Sequence, residues 1–180
     1  MRRALLITLT LFFVGCSSKQ SMYLLPQEAT HALTTVHTQI GVKKVELPSY
    51  LNSDKILIKN GMKLEELNAN FATSPDKLFT NRAIVKLKKL LNDPNVFLYP
   101  WDVDSKKGYI VEIVLDDFIY SDNEVNLSGT YFIKSTKGSI ISSSNFSYKK
   151  EAHKSVDDIM RSLSLLFDKV VLEIAQKIAR

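Results

Sequence analysis

Val125, Leu127, Gly129, Tyr131 and Ile133 alternate with Asn126, Ser128, Thr130 and Phe132. That period of two predicts a strand with one buried face. Tyr109, Val111, Ile113 and Leu115 repeat the pattern until Asp116-Asp117-Phe118 breaks it, which predicts a bulge or a strand end. Lys137-Gly138 predicts a turn, with a return strand over 139–148. Two segments carry a helical period instead. In the first, Phe79, Ala83, Leu87 and Leu90 form a stripe behind Ser74 as cap, Pro75 as first residue and Asp76 near the positive end of the dipole. Asn92-Asp93-Pro94 stops it. In the last segment, Ile159, Leu163, Leu166, Phe167, Val170, Ile174 and Ile178 mark one face, and Ser155 with Asp158 resembles a capping box. Short strands are predicted at 23–25, within 36–47, at 55–59, 62–67 and 95–99. Asn60-Gly61 joins two of them as a type I′ hairpin turn. The order β-β-β-β-α-β-β-β-β-α predicts an α+β fold, a mostly antiparallel sheet with two amphipathic helices packed on one face.

The N-terminal pattern is of another kind. Arg2 and Arg3 precede residues 4–14, which carry no charge. This suits a signal-peptide core and falls short of the ~20 apolar residues a spanning helix needs. Phe13-Val14-Gly15-Cys16 then resembles the bacterial lipobox, with Phe13 in place of the usual Leu. The resemblance implies diacylglyceryl transfer to Cys16, cleavage before it and a lipid anchor on a membrane. Ser17, rather than the Asp that retains lipoproteins at the inner membrane, points to the outer membrane. The expected organisation is a signal peptide over 1–15, a lipidated N-terminus and spacer over 16–22, and a single periplasmic domain over 23–180.

Composition narrows the chemistry. Cys16 is the single cysteine, so an intramolecular disulfide and any multi-thiolate metal site are excluded. The formal charge is +5; loss of Arg2 and Arg3 would leave +3. That is mildly basic, and no basic run is interleaved with aromatics, so nucleic acid is not an expected partner. His31, His37 and His153 show no metal-ligand spacing. Asp102-Val103-Asp104 resembles the start of a calcium loop, but Lys106 follows and no Glu closes it. Asp116 and Asp117, adjacent in a strand, point to opposite faces and make a poor acid–base pair. Glu124-Val125-Asn126-Leu127-Ser128 matches the extended N-glycosylation sequon, placed inside a predicted strand. Trp101, between Pro100 and Asp102, is a candidate partner anchor. No catalytic, cofactor or metal residues are expected.

Four stretches together resemble a known family: the lipobox followed closely by Tyr23-Leu24-Leu25; Val45-Glu46-Leu47-Pro48-Ser49-Tyr50-Leu51; Val114-Leu115-Asp116-Asp117-Phe118 with Val125-Asn126-Leu127-Ser128-Gly129-Thr130-Tyr131; and the closing helix. The chain is similar to the ABC-type transport auxiliary lipoproteins of paraquat-inducible, MCE-linked systems. Where family members carry a Trp-Ala-Glu-Pro-Leu-like stretch, this chain has Ala72-Thr73-Ser74-Pro75-Asp76. The resemblance implies a non-catalytic accessory for transport of lipids or hydrophobic compounds. Its implied partners are a periplasmic MCE-domain protein, through it a permease and ATPase, and further copies of itself. The alternative expectation is a lipoprotein that carries a hydrophobic ligand between sheet and helices.

Overall fold

The computed structural model of the chain describes residues 20–51, 53–100 and 108–180. The signal peptide, Cys16, Trp101 and the Asp102–Asp104 turn lie outside the described residues. The expected order of elements is found: β1 (Ser21–Tyr23), β2 (Gln39–Val42), β3 (Lys55–Asn60), β4 (Lys63–Phe71), α1 (Pro75–Leu90), β5 (Val96–Leu98), β6 (Gly108–Ser121), β7 (Glu124–Ser135), β8 (Ile140–Glu151) and α2 (Val156–Ile178).

The sheet is built on β6. One edge pairs antiparallel with β7 along its whole length, and β7 pairs antiparallel with β8. The other edge of β6 is shared by two strands. Its first half takes β2 in parallel, with Gln39 beside Gly108 and Val42 beside Val111. Its second half takes β3, also in parallel, with Ile58 beside Tyr120. Two branches leave this fork: β2 continues to β5 in parallel, and β3 continues antiparallel to β4 and then to β1. The antiparallel ladders are the long ones, and the parallel pairings make the sheet mixed. Hydrophobic alternation fixes which face is buried but not which neighbour a strand takes, so these parallel pairs were outside its reach.

Both helices cover one face. Val111, Ile113 and Leu115 of β6 and Val125, Leu127, Tyr131 and Ile133 of β7 are buried beneath them. The space between the layers is filled by rings: Phe79 of α1 lies 4.8 Å from Phe167 of α2 and 5.2 Å from Phe118 of β6, centroid to centroid. Residues between β1 and β2 strap the helix pair. Leu33 N–H donates to the Leu90 carbonyl at 2.7 Å, and Ser164 Oγ–H donates to the Pro26 carbonyl at 2.7 Å. Asp93, buried beyond the end of α1, accepts from the N–H groups of Thr38 and Asn95 and so fixes the start of β2.

Local details differ from the sequence reading. The first strand is Ser21–Tyr23 rather than 23–25, because Leu25 turns into the core and Leu24 into solvent. The β3–β4 turn centres on Gly61 and Met62, since Asn60 pairs with Lys63; only Gly61, φ 59°, needs positive φ. The turn with positive φ at both centres, as type I′ demands, is Asp122-Asn123 (52° and 63°) between β6 and β7. Ser74 occupies the cap of α1 without a side-chain hydrogen bond. Ser155 does cap α2, accepting from Asp158 N–H at 3.2 Å, while the Asp158 carboxylate reaches past it to His153 N–H.

The helices are joined by charge as well as by rings. Arg82 of α1 donates from Nε and Nη2 to the two carboxylate oxygens of Asp168 of α2, both at 2.8 Å. Lys86 Nζ lies 2.9 Å from the same carboxylate and donates to Thr30 Oγ1 in the strap. Arg82 and Asp168 are both buried. Removing one partner of such a group leaves an uncompensated buried charge, at about 3–5 kcal/mol. Asp168→Ala is therefore expected to lower the unfolding free energy by an amount in that range in urea titration, whereas a triple Arg82→Met, Lys86→Met, Asp168→Leu variant, which removes all three charges, should recover much of the loss.

Candidate functional site

Two of the family-like stretches, 45–51 and 114–118 with 125–131, meet in space at the bulge of β6. Pairing between β6 and β7 shifts register between Leu115 and Asp117. At the same level β6 loses its partner on the opposite edge. The chain after β2 follows β6 only as far as Glu46, whose carbonyl accepts from Leu115 N–H at 2.9 Å. It then leaves as a short 3-10 turn, Ser49–Leu51. Tyr50, the tyrosine of the Leu47-Pro48-Ser49-Tyr50-Leu51 stretch, turns its hydroxyl back into the gap. Its oxygen accepts from Phe118 N–H at 3.0 Å, and its proton is directed at Asp117 Oδ1, 2.5 Å away. Burial, then the hydrogen bond to Asp117, pushes the Tyr50 hydroxyl well above its ordinary pKa. The phenol thus takes the place of a missing strand. On the facing strand, Gly129 sits opposite Leu115, and a Cβ there would lie 2.1 Å from the Val114 carbonyl oxygen. These residues close the fold rather than present chemistry to a ligand.

Beside this lock lies an open cleft of about 750 Å³ between the 43–54 segment and the start of α1. Lys43, Lys44, Leu51, Asp76, Tyr99 and Pro100 are among its walls. Thr80 of α1 holds the cleft together: its hydroxyl accepts from Val45 N–H at 2.9 Å and donates to the Asp76 carbonyl at 2.6 Å. Three of the charges on its walls are paired. Lys44 Nζ lies 2.6 Å from Asp76, and Lys43 joins Lys134 of β7 on the Glu112 carboxylate. Burial pushes the Glu112 carboxyl up, but the hydrogen bonds and charges of Lys134 and Lys43 outweigh it and hold it below its ordinary range. Asp76 is held down in the same way: burial raises it, and the Lys44 contact overcomes that. The hydrogen bond to Glu112 keeps the Lys43 ammonium protonated above its usual range. The walls are polar, with two lysines and three carboxylates beside a few apolar side chains.

The other sequence-predicted sites do not converge. His31 and His37 are exposed in the segment between β1 and β2, and His153 is exposed between β8 and α2. Among the described residues no group of three His, Cys, Asp or Glu side chains is placed to hold a metal ion, and no helix is long and apolar enough to cross a membrane. Asp116 is exposed and Asp117 is engaged by Tyr50. Asn126 of the sequon lies in β7 between Ile119 of β6 and Lys149 of β8, donating to Ser121 Oγ at 3.2 Å. Sequence reasoning missed the Tyr50–Asp117 pair and the Arg82–Asp168 pair. The first was visible only as two separate stretches, and the second as two polar residues on otherwise apolar helix faces.

Fold and site together define a two-layer α+β scaffold whose signature residues serve a forked sheet. The chain belongs to the family of ABC-type transport auxiliary lipoprotein components, whose model matches residues 23–175. Among curated proteins none matches the sequence. Among solved structures, one of an uncharacterised protein is similar at 18% identity and TM-score 0.71, covering 88% of this chain and 98% of its own. A protein from Xanthomonas campestris is similar at 13% identity and TM-score 0.65, covering 87% and 90%. Both likenesses show the shared fold.

Two outcomes follow for the lock and the cleft. Tyr50→Phe leaves Phe118 N–H without its partner in the gap, and a buried polar group stranded in this way costs about 1–3 kcal/mol. The loss should appear as a lower urea midpoint, and Gly129→Ala should lose at least as much. Glu112 and Asp76 give up protons more readily in the folded chain than unfolded. Their contribution is therefore complete above the ordinary carboxylate pKa and disappears as pH falls through the lower folded values. Urea midpoints measured from neutral pH down into the acid range should fall along that limb, and Glu112→Gln should flatten it.

Proposed function

We propose that the protein is a periplasmic accessory lipoprotein, anchored through Cys16 at the outer membrane, that serves an ABC transport system for lipids or hydrophobic compounds by binding an MCE-domain partner. The observation that carries this reading is the filled interior. The layer between sheet and helices, where a carried ligand would sit, is occupied by Phe79 in contact with both Phe118 and Phe167. Binding then falls to exterior surfaces, and we assign it to the open cleft at the start of α1. Lys43, Lys44 and Asp76 there would fix orientation, with Leu51 and Pro100 supplying apolar contact. Trp101 follows Pro100 in the chain, and we assign it to the same contact as an anchor. Chemistry at the site is not part of this role, and further copies of the chain are candidate neighbours in the assembly.

Detergent-solubilised protein is expected to copurify with an MCE-domain protein encoded in the same cell, and Lys44→Glu should reduce recovery of that partner without lowering the thermal midpoint by more than a surface substitution does. Native mass spectrometry that instead finds an acyl ligand retained by the folded domain, with no such partner, would sink the reading.

A further inference from the structure

The tip of the β3–β4 hairpin is an apolar point in a polar surround. Met62 is completely exposed and Leu64 about half exposed, at 101% and 49%. Lys59 and Lys63 flank the turn, both exposed. The acids behind it are engaged: Glu65 accepts from Asn60 Nδ2 at 2.9 Å, and Glu66 lies 3.8 Å from Lys55. A single exposed methionine means little by itself. Its position relative to the chain's entry into the sheet gives it meaning.

β1 runs parallel to β4, with Ser21 beside Ala69 and Tyr23 beside Phe71. β4 leads away from the hairpin tip, so the chain before Ser21 enters from the tip side. Cys16 precedes Ser21 by five residues, a contour of at most about 18 Å. From Ala69 back to Lys63 the strand rises about 20 Å. The opposite end of the sheet is farther away: Ser21 lies near the level of Phe118, and from there to Gly108 β6 runs about 33 Å. A membrane holding Cys16 is thus within reach of the hairpin end and out of reach of the β7–β8 turn.

We propose that the β3–β4 hairpin tip, with Met62 and Leu64 as the apolar wedge and Lys59 and Lys63 at headgroup level, dips into the phospholipid bilayer that anchors Cys16. The inference rests on the lipid-anchor reading of Cys16. The wedge supplies a second membrane contact beside the acyl chains and fixes the domain's tilt, with the lysine stems lying along the acyl boundary and their ammonium groups in water. The neighbouring β6–β7 turn carries Asp122 and Glu124, the latter paired with Lys149. The contact is therefore made by the apolar tip and its two lysines, not by the overall charge of that end.

The full chain offers a direct test, because Cys16 is its single cysteine and lipidation blocks that thiol. Met62→Cys, labelled with an environment-sensitive nitrobenzoxadiazole probe and reconstituted in phosphatidylethanolamine–phosphatidylglycerol vesicles, should show a blue shift, lose quenching by aqueous iodide and gain quenching by spin-labelled lipid. The same probe at Lys137→Cys, in the β7–β8 turn, should stay aqueous. If the protein floats with the vesicles and the probe at 62 remains aqueous, the wedge is wrong while the anchor stands. Shielding from iodide without quenching by spin-labelled lipid also overturns it, in favour of a protein neighbour. If the protein does not float, the anchor reading itself fails and the wedge with it.

Discussion

One strand edge must serve two strands, and the rest of the structure is arranged around that constraint. β2 and β3 lie end to end along the same side of β6, and neither can pair with its middle, where the bulge changes the direction of the backbone. A backbone donor left unpaired in such a gap carries a desolvation cost comparable to a lost hydrogen bond. Tyr50 removes that cost with a side chain, and the 3-10 turn that presents it is also the detour by which the chain passes from one branch to the other. Gly129 is the matching concession on β7, where the bulge brings the Val114 carbonyl too close for any Cβ. The two branches diverge from this point, and their divergence makes room for the cleft beside α1.

The helical layer faces a different problem. Two helices of unequal length must hold a fixed offset over a twisted sheet, and interlocked aliphatic side chains tolerate sliding by a turn more readily than a directed ion pair does. The bidentate contact between Arg82 and Asp168 has one geometry. Lys86 adds a second cation to the same carboxylate and ties it to Thr30, so the strap, α1 and α2 are registered by one buried group. The cluster holds two positive charges against one negative, and the Thr30 hydroxyl takes up one of the remaining donors. We regard this as a device for alignment more than for net stability, in keeping with what buried ion pairs contribute elsewhere.

Much of the fold was legible because burial here follows simple periods. The alternation of β7 and the stripe of α2 were readable to within a few residues, since each has one wet and one dry face along its whole length. Three kinds of feature were not. Turn register depends on where the flanking pairs close, so Asn60-Gly61 looked like the turn centre although Asn60 still pairs with Lys63. Parallel pairing leaves no local mark, because β2 and β3 read the same whichever neighbour they take. Contacts between distant polar residues, such as Tyr50 with Asp117, are invisible one residue at a time. At the candidate site, Pro75 and Asp76 were read as a helix start, and Asp76 proves to be a cleft wall as well; the pairing partner Lys44 lay in a segment read only as strand.

The placement of the signature residues bears on where partner specificity resides. Tyr50, Asp117, Phe118 and Gly129 lie within the stretches that resemble the family, and each is committed to closing the fork. A fold closed in this way can vary its exposed surfaces without losing its architecture, since substitutions there touch neither the bulge nor the helix clamp. The cleft near Lys44 lies at the fork itself, between the segment after β2 and the approach to β3, whereas Met62 lies at the far end of β3. If the chain is anchored through Cys16 as proposed, the β3–β4 tip would face the bilayer and the cleft and the β2–β5 branch would lie away from it. On the proposed reading, the same fork that creates the packing problem at β6 would separate a membrane-facing hairpin from a partner-facing cleft.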